Sequence, residues 1–191
     1  MRISSFERKT KETDISVRLC LDGTGNVSVD TGIGFFDHML TAFAVHSGMD
    51  LELTCKGDLG VDCHHTIEDV GIVMGKAFAA AIGENKSVKR YGSSFIPMDD
   101  ALAQAVIDIS GRGYLVFDCP FTFATMGDME TQMVREFFYA FAINSGVTLH
   151  IRLLYGENDH HKCEAVFKAF AHAIGEASCK RDSVLSTKGV L

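Results

Sequence analysis

The sequence predicts an internally duplicated α+β fold, each half reading strand, strand, helix, strand, helix, with the helices packed between two four-stranded sheets. Three observations predict it. His-His-x-x-Glu occurs twice, at His64-His65-Thr66-Ile67-Glu68 and His160-His161-Lys162-Cys163-Glu164, with the pairs 96 residues apart. Upstream, the stretch 36–48 pairs with 135–146, so that Ala-Phe-Ala falls on Ala-Phe-Ala and Ser-Gly on Ser-Gly. After each Ser-Gly comes a period-two alternation, the mark of a half-buried strand.

In order, strand-like runs near 15–21 and 26–30 lead into a helix through 36–48. Leu51, Leu53 and Cys55 then alternate with Glu52 and Thr54. A helix over 64–83 follows, with Ile67, Val70, Met74, Phe78 and Ala81 at helical spacing. Gly83-Glu84-Asn85-Lys86-Ser87 is the polar joint. The second half repeats the series: strands near 104–110 and 114–118, a helix through 135–146, and Leu149, Ile151 and Leu153 alternating with His150 and Arg152. Its last helix, 160–177, carries Val166, Phe167, Phe170 and Ile174. Neither half covers its own sheet, so 1–191 reads as one unit of two pseudo-repeats, about 1–85 and 86–191. Pro97 and Pro120 fall near strand boundaries, where a missing donor is tolerated.

Bulk properties exclude several classes. Apolar residues at 47% and charged residues at 23% fit a soluble globular protein with a sizeable core. The net charge of −7 argues against a general nucleic-acid or membrane surface, so an anionic substrate needs a local cluster of Lys and Arg. The start lacks the apolar core of a signal peptide, and no apolar run approaches the ~20 residues of a membrane span. The six cysteines lack disulfide-framework spacing and read as reduced thiols of a cytoplasmic protein. Cys63 and Cys163 lie beside the histidine pairs, which leaves a ligand role open, but packing is the favoured reading.

On a helix, His64 and His65 each share a face with Glu68, but adjacent residues point about 100° apart around the axis. One histidine of a pair then serves one metal and its neighbour another. His38 and Glu136 occupy matched places in the repeat and extend the set to eight candidate ligands for two metals. Imidazole with carboxylate suits zinc, iron or manganese, and three to four protein ligands per ion leave positions open for chemistry. The zincin motifs are absent.

Longer motifs then become specific. Arg8-Lys9-Thr10-Lys11-Glu12-Thr13, the run 30–40 ending Phe36-Asp37-His38-Met39-Leu40, and Asp62-Cys63-His64-His65-Thr66-Ile67-Glu68-Asp69 resemble imidazoleglycerol-phosphate dehydratases. So do Asp108-Ile109-Ser110-Gly111-Arg112, Glu136-Phe137-Phe138, the run 158–165 and the closing Ser186-Thr187-Lys188-Gly189-Val190-Leu191. The resemblance spans essentially the whole chain in order and implies the monofunctional form. It also implies a fold like domain 2 of ribosomal protein S5, and a cage of about 24 subunits with manganese between neighbours, two sites per subunit.

By resemblance, the metal ligands are His38, His64, His65, Glu68, His160, His161 and Glu164, with position 136. Many members have histidine there; Glu136 is a departure that still offers a ligand atom. The implied reaction is dehydration of imidazoleglycerol phosphate to imidazole acetol phosphate in histidine biosynthesis. The proton removed sits beside no carbonyl, so the imidazole must act as electron sink, through a metal-bound imidazolate and a diazafulvene-like intermediate.

Glu12 is the implied acid/base, with His64, His65, Glu68, His160, His161 and Glu164 completing the catalytic set. His38 is implied to face substrate, and His46 and Asp69 to face substrate or support the ligands. Read without the resemblance, these last two are surface or capping residues, and a carboxylate such as Asp69 can orient a ligating imidazole. Arg90, Arg112, Lys168, Ser186, Thr187 and Lys188 match phosphate-contacting positions. His150 and His172 have no match and read as structural or exposed. Two rivals are a binuclear hydrolase and a non-catalytic metal-binding cage. Neither explains why the Glu12 and Ser-Thr-Lys motifs accompany the ligands.

Overall fold

A computed structural model describes residues 1–83, 87–183 and 185. The first half contains β1 (Ile3–Lys9), β2 (Thr13–Cys20), β3 (Val27–Asp30), α1 (Gly34–Ser47), β4 (Asp50–Gly57) and α2 (His64–Ile82). The second contains β5 (Tyr91–Met98), β6 (Ala101–Asp108), β7 (Tyr114–Asp118), a small hairpin of β8 (Thr125–Met126) and β9 (Met129–Glu130), then α3 (Gln132–Ser145), β10 (Thr148–Tyr155) and α4 (Asp159–Ser178).

The larger sheets have the same plan, β1-β2-β4-β3 and β5-β6-β10-β7. β3 pairs parallel with β4 across the α1 crossover, and β7 parallel with β10 across α3; the remaining pairings are antiparallel. This is the α+β architecture the repeat predicts. α1 and α2 lie on the first sheet, α3 and α4 on the second, and the layers meet as α1 on α4 and α2 on α3.

One continuous apolar cluster runs through all four layers. Its centre is aromatic: Phe43 stacks on Phe170 and Phe137 on Phe167, both at 5.4 Å between ring centroids. α2 approaches α3 closely because Gly71 and Gly75 face it. A Cβ at either would stand 2.7 Å from a carbonyl oxygen, of Phe137 and Phe141 respectively.

Each half has one more leading strand than the periodicity shows. β1 and β5 are edge strands with mostly half-exposed side chains. Ser4, Ser5, Glu7 and Arg8 dilute the alternation of β1, while Gly92, two serines and Pro97 dilute that of β5. Pro97 lies inside β5, where an edge tolerates the missing donor; Pro120 follows β7. The β8–β9 hairpin carried no period to read. Of the polar joint, 84–86 lie outside the described residues.

The outward faces of the two sheets differ. Along the first, Ser5, Glu7, Ser16, Arg18, Glu52 and Lys56 face solvent. Along the second, Tyr91, Phe95, Val106, Tyr114, Val116 and Leu154 are exposed. No helix among the described residues is long and apolar enough to cross a membrane.

Candidate metal centre and active site

Both histidine pairs sit on the first turn of a helix, where backbone N–H groups lack intrahelical partners. Asn158 caps α4 by accepting from the N–H of His160 at 2.9 Å and of His161 at 3.3 Å. At α2, Asp62 accepts from the N–H of His64 at 2.7 Å. Each acceptor holds the start of its helix and thereby the backbone from which the rings project.

The rings of each pair diverge. Centroids of His160 and His161 are 6.1 Å apart with planes at 79°, and those of His64 and His65 are 6.2 Å apart at 72°. His160 turns to α1: its Nε2 lies 3.3 Å from Glu164 Oε2, and His38 Nε2 lies 3.5 Å from the same oxygen. One donor atom from each of the three falls within 4.8 Å of the others. Among the described residues this is the one three-donor His/Cys/Asp/Glu group so gathered.

Glu164 is nearly buried while both imidazoles are about half exposed, so the group opens to solvent. Burial alone would raise the Glu164 carboxyl. Its hydrogen bond from Lys168 at 2.7 Å, the lysine charge and His38 outweigh burial and hold it below its ordinary value. Nitrogen and carboxylate donors without thiolate fit a borderline or hard divalent ion.

His161 faces the other way, its Nδ1 2.5 Å from Asp100 Oδ1 and its Nε2 3.6 Å from Asp99. In the first half, His64 Nε2 lies 3.8 Å from Glu68, and His65 Nδ1 lies 3.1 Å from Asp58. His65 Nε2 is 3.8 Å from Glu12. Hydrogen bonds to Asp58 and Asp100 raise His65 and His161 above the ordinary histidine value. Glu136, on α3, pairs with Arg135 at 2.9 Å instead of joining His64 and Glu68. It lines a cleft of about 480 Å³ with Phe117, Cys119, Phe121 and Arg135.

Glu12 stands on the β1–β2 turn, half exposed, with Thr10 Oγ1 accepting from its N–H at 3.1 Å. Asp69 bonds Arg8 and Thr13 rather than an imidazole, the partner its chemistry also allowed. It is buried, accepts from Arg8, and accepts from Thr13 Oγ1 at 2.5 Å, so it anchors the turn that carries Glu12. The reason is register: α2 lies over β1 and β2, so this face of the helix meets the strands.

On α4, His160, Glu164, Lys168 and His172 fall at i+4 steps on one face. His46, from α1, sets its Nδ1 3.3 Å from His172 Nε2. Burial, then the nearby Lys168 and His172, push His46 below its ordinary value. His172 is exposed as expected, but it abuts His46; the i+4 step from Lys168 was the available signal. His150 points outward from β10.

Arg90 is engaged elsewhere, with Nε 2.7 Å from Asp108 and Nη1 2.7 Å from the Leu185 carbonyl. Arg112 lies exposed after β6, its Nη1 3.5 Å from the Ser110 carbonyl and its own carbonyl accepting from Thr148 Oγ1 at 3.1 Å. Among the described residues neither arginine touches a histidine cluster. Ser186, Thr187 and Lys188 lie outside the described residues. Cys63 and Cys163 are buried, and burial pushes both thiols up, in keeping with packing roles.

Sequence reading missed Asp58, Asp99 and Asp100. Asp100 immediately precedes β6 as Glu12 immediately precedes β2, so aligning strand starts would have found it.

The family model described as imidazoleglycerol-phosphate dehydratase matches residues 31–174. An imidazoleglycerol-phosphate dehydratase of Acetivibrio thermocellus is 54% identical over 96% of this chain and 96% of its own length. One from Clostridioides difficile is 53% identical over 100% of both. Among solved structures, that of the Pyrococcus furiosus enzyme in complex with (S)-C348 has a TM-score of 0.86 at 38% identity, covering 97% of this chain and 100% of its own. The Staphylococcus aureus dehydratase has a TM-score of 0.82 at 40% identity, covering 93% and 99%.

Proposed function

This chain belongs to the imidazoleglycerol-phosphate dehydratase family and is a hydro-lyase of histidine biosynthesis, and from that premise we propose a manganese-dependent reaction with two metal sites per subunit. Water is removed from imidazoleglycerol phosphate to give imidazole acetol phosphate. The observation that carries the reading is the α4 stripe: donor atoms of His160 and Glu164, joined by His38, then Lys168 one turn, ~6 Å, further along. That stripe offers ring-binding chemistry at one end and a cation for phosphate at the other.

His38, His160 and Glu164 hold one ion. His64 and Glu68, with Glu136 once it leaves Arg135, offer the matching set. His65 and His161 turn away from their neighbours and serve different ions from them. When bound, manganese supplies Lewis acidity toward a ring nitrogen of the substrate.

The ring N–H proton passes to the departing side-chain hydroxyl, which leaves as water, and the ring becomes diazafulvene-like. Glu12 takes the carbon-bound proton, which restores the aromatic ring, and the resulting enol tautomerises to the ketone. Glu12 is suited to this because its carboxylate is half exposed and, among the described residues, faces His65 at 3.8 Å with no hydrogen bond. Asp69 and Arg8 brace its turn. Lys168 and His46 bind phosphate within the stripe, and Arg90, Arg112, Ser186, Thr187 and Lys188 complete that grip.

The chain works as one unit of two pseudo-repeats and self-associates into a large cytoplasmic cage. The apolar outward face of the second sheet supports association, since a patch of this kind is rarely left to solvent.

The test is turnover of imidazoleglycerol phosphate by chelator-stripped protein with and without added Mn²⁺, following the enolate absorbance of the product. Manganese-dependent product is expected. Protein that reloads manganese and forms no product would return the hydrolase and metal-storage readings.

A further inference from the structure

We infer that Asp58 and Asp100 are positioning residues that lock His65 and His161 with the proton on Nδ1 and Nε2 left as the free donor atom. This rests on the metal-dependent reading above. An ionised carboxylate only accepts hydrogen bonds, so the ring nitrogen facing it must carry the hydrogen. In both halves that nitrogen is Nδ1. His65 Nδ1 lies 3.2 and 3.1 Å from the two Asp58 oxygens, and His161 Nδ1 lies 2.5 Å from Asp100 Oδ1.

Among the described residues, the nearest carboxylate to Nε2 is Glu12 at 3.8 Å for His65 and Asp99 at 3.6 Å for His161, both beyond hydrogen-bond distance. Each ring therefore has one nitrogen spent on orientation and one free to bind.

The two aspartates are not copies of one another. Asp58 follows β4, whereas Asp100 precedes β6, so the internal duplication did not place both. The same constraint on the same ring atom is built twice from unlike elements. Each support is itself held. Asp100 Oδ2 accepts from the backbone N–H of Glu157 at 2.6 Å and Asn158 at 3.0 Å, so its carboxylate cannot swing away.

The Asp58 backbone donates to the Glu12 carbonyl at 3.0 Å and accepts from Val61 at 2.8 Å. Its approach to α2 depends on Gly57, where a Cβ would fall 1.9 Å from Thr66 Oγ1. A partner that fixes the tautomer and aims the ring is worth about 10–100-fold in metal affinity.

The experiment is Mn²⁺ titration of the chelator-stripped full chain, read by the electron paramagnetic resonance signal of free Mn²⁺, beside thermal melts of the stripped protein. Asp58→Ala is the clean variant, because among the described residues the Asp58 carboxylate is bonded to His65 alone. It should bind Mn²⁺ about 10–100-fold more weakly with an unchanged melting temperature, and Asp58→Asn, which keeps an acceptor, should recover part of the loss. Asp100→Ala should weaken binding similarly and also lower the melting temperature through its backbone contacts at α4. Wild-type affinity in Asp58→Ala overturns the inference while leaving manganese dependence standing. Wild-type protein that binds no Mn²⁺ overturns both.

Discussion

Glu12 and Asp100 hold the same place in the two halves, at the turn between the first and second strands, yet their surroundings have made them different groups. Asp100 is spent: one oxygen faces His161 and the other receives two backbone N–H groups, which hold its carboxyl well below the usual range. Glu12 is half exposed and 3.8 Å from its histidine. The role that Asp100 plays toward His161 passes to Asp58 in the first half.

A fully bonded carboxylate makes a good support and a poor proton carrier, because moving a proton onto it breaks every bond it accepts. The two turns thus carry two carboxylates, and local hydrogen bonding left that of Glu12 the less engaged, in keeping with the proton-transfer role proposed for it.

The sharpest way to break that comparison is Glu12→Gln. Turnover should fall about 10²–10⁴-fold, the usual worth of a general acid or base, with manganese content unchanged. Near-normal turnover would remove Glu12 from proton transfer and erase the distinction between the turns.

Next are the metal sets. The donors proposed on α1 and α4 are gathered within one chain, while Glu136, proposed for the α2 set, pairs with Arg135. His160→Ala and His64→Ala should each lower manganese affinity by more than the ~100-fold that loss of a supporting group reaches, and should lose higher assembly. The loss should be larger for His160→Ala in dilute protein. Metal analysis with light scattering measures both, and assembly that survives metal loss would sink the idea of metal at the interface.

The smallest effect belongs to Lys168→Met in stripped protein. The folded-state value of Glu164 is depressed, so its contribution to stability is present above its unfolded value of about 4.3 and is lost as pH falls through the folded value. The variant should lose about 1.5–3 kcal/mol at neutral pH, the worth of a hydrogen bond to a charged group. It should also show a flatter acid limb in pH-dependent melts. An unchanged acid limb would mean that Lys168 does not hold the Glu164 charge.

Much of this was legible from residue order. Periodicity located α2 and α4 to within a residue or two, because their buried faces are dense in Val, Phe, Met and Ala. The repeated histidine pair revealed the duplication, and the 100° step between helical neighbours required the rings to diverge. β1 and β5 escaped because an edge strand needs few apolar side chains, which leaves little period to detect.

The rest depended on long-range contact. No local pattern says that Asp58 reaches His65, that Asp69 turns to Thr13, or that Glu136 pairs with Arg135 while His38 crosses to Glu164. Residue order determined which donors exist and on which helical face they lie, since helical geometry is local. Which donors meet was decided only when α1 packed on α4 and α2 on α3, because hydrogen bonds act over about 3 Å and chain order says nothing at that scale about residues brought together from opposite halves.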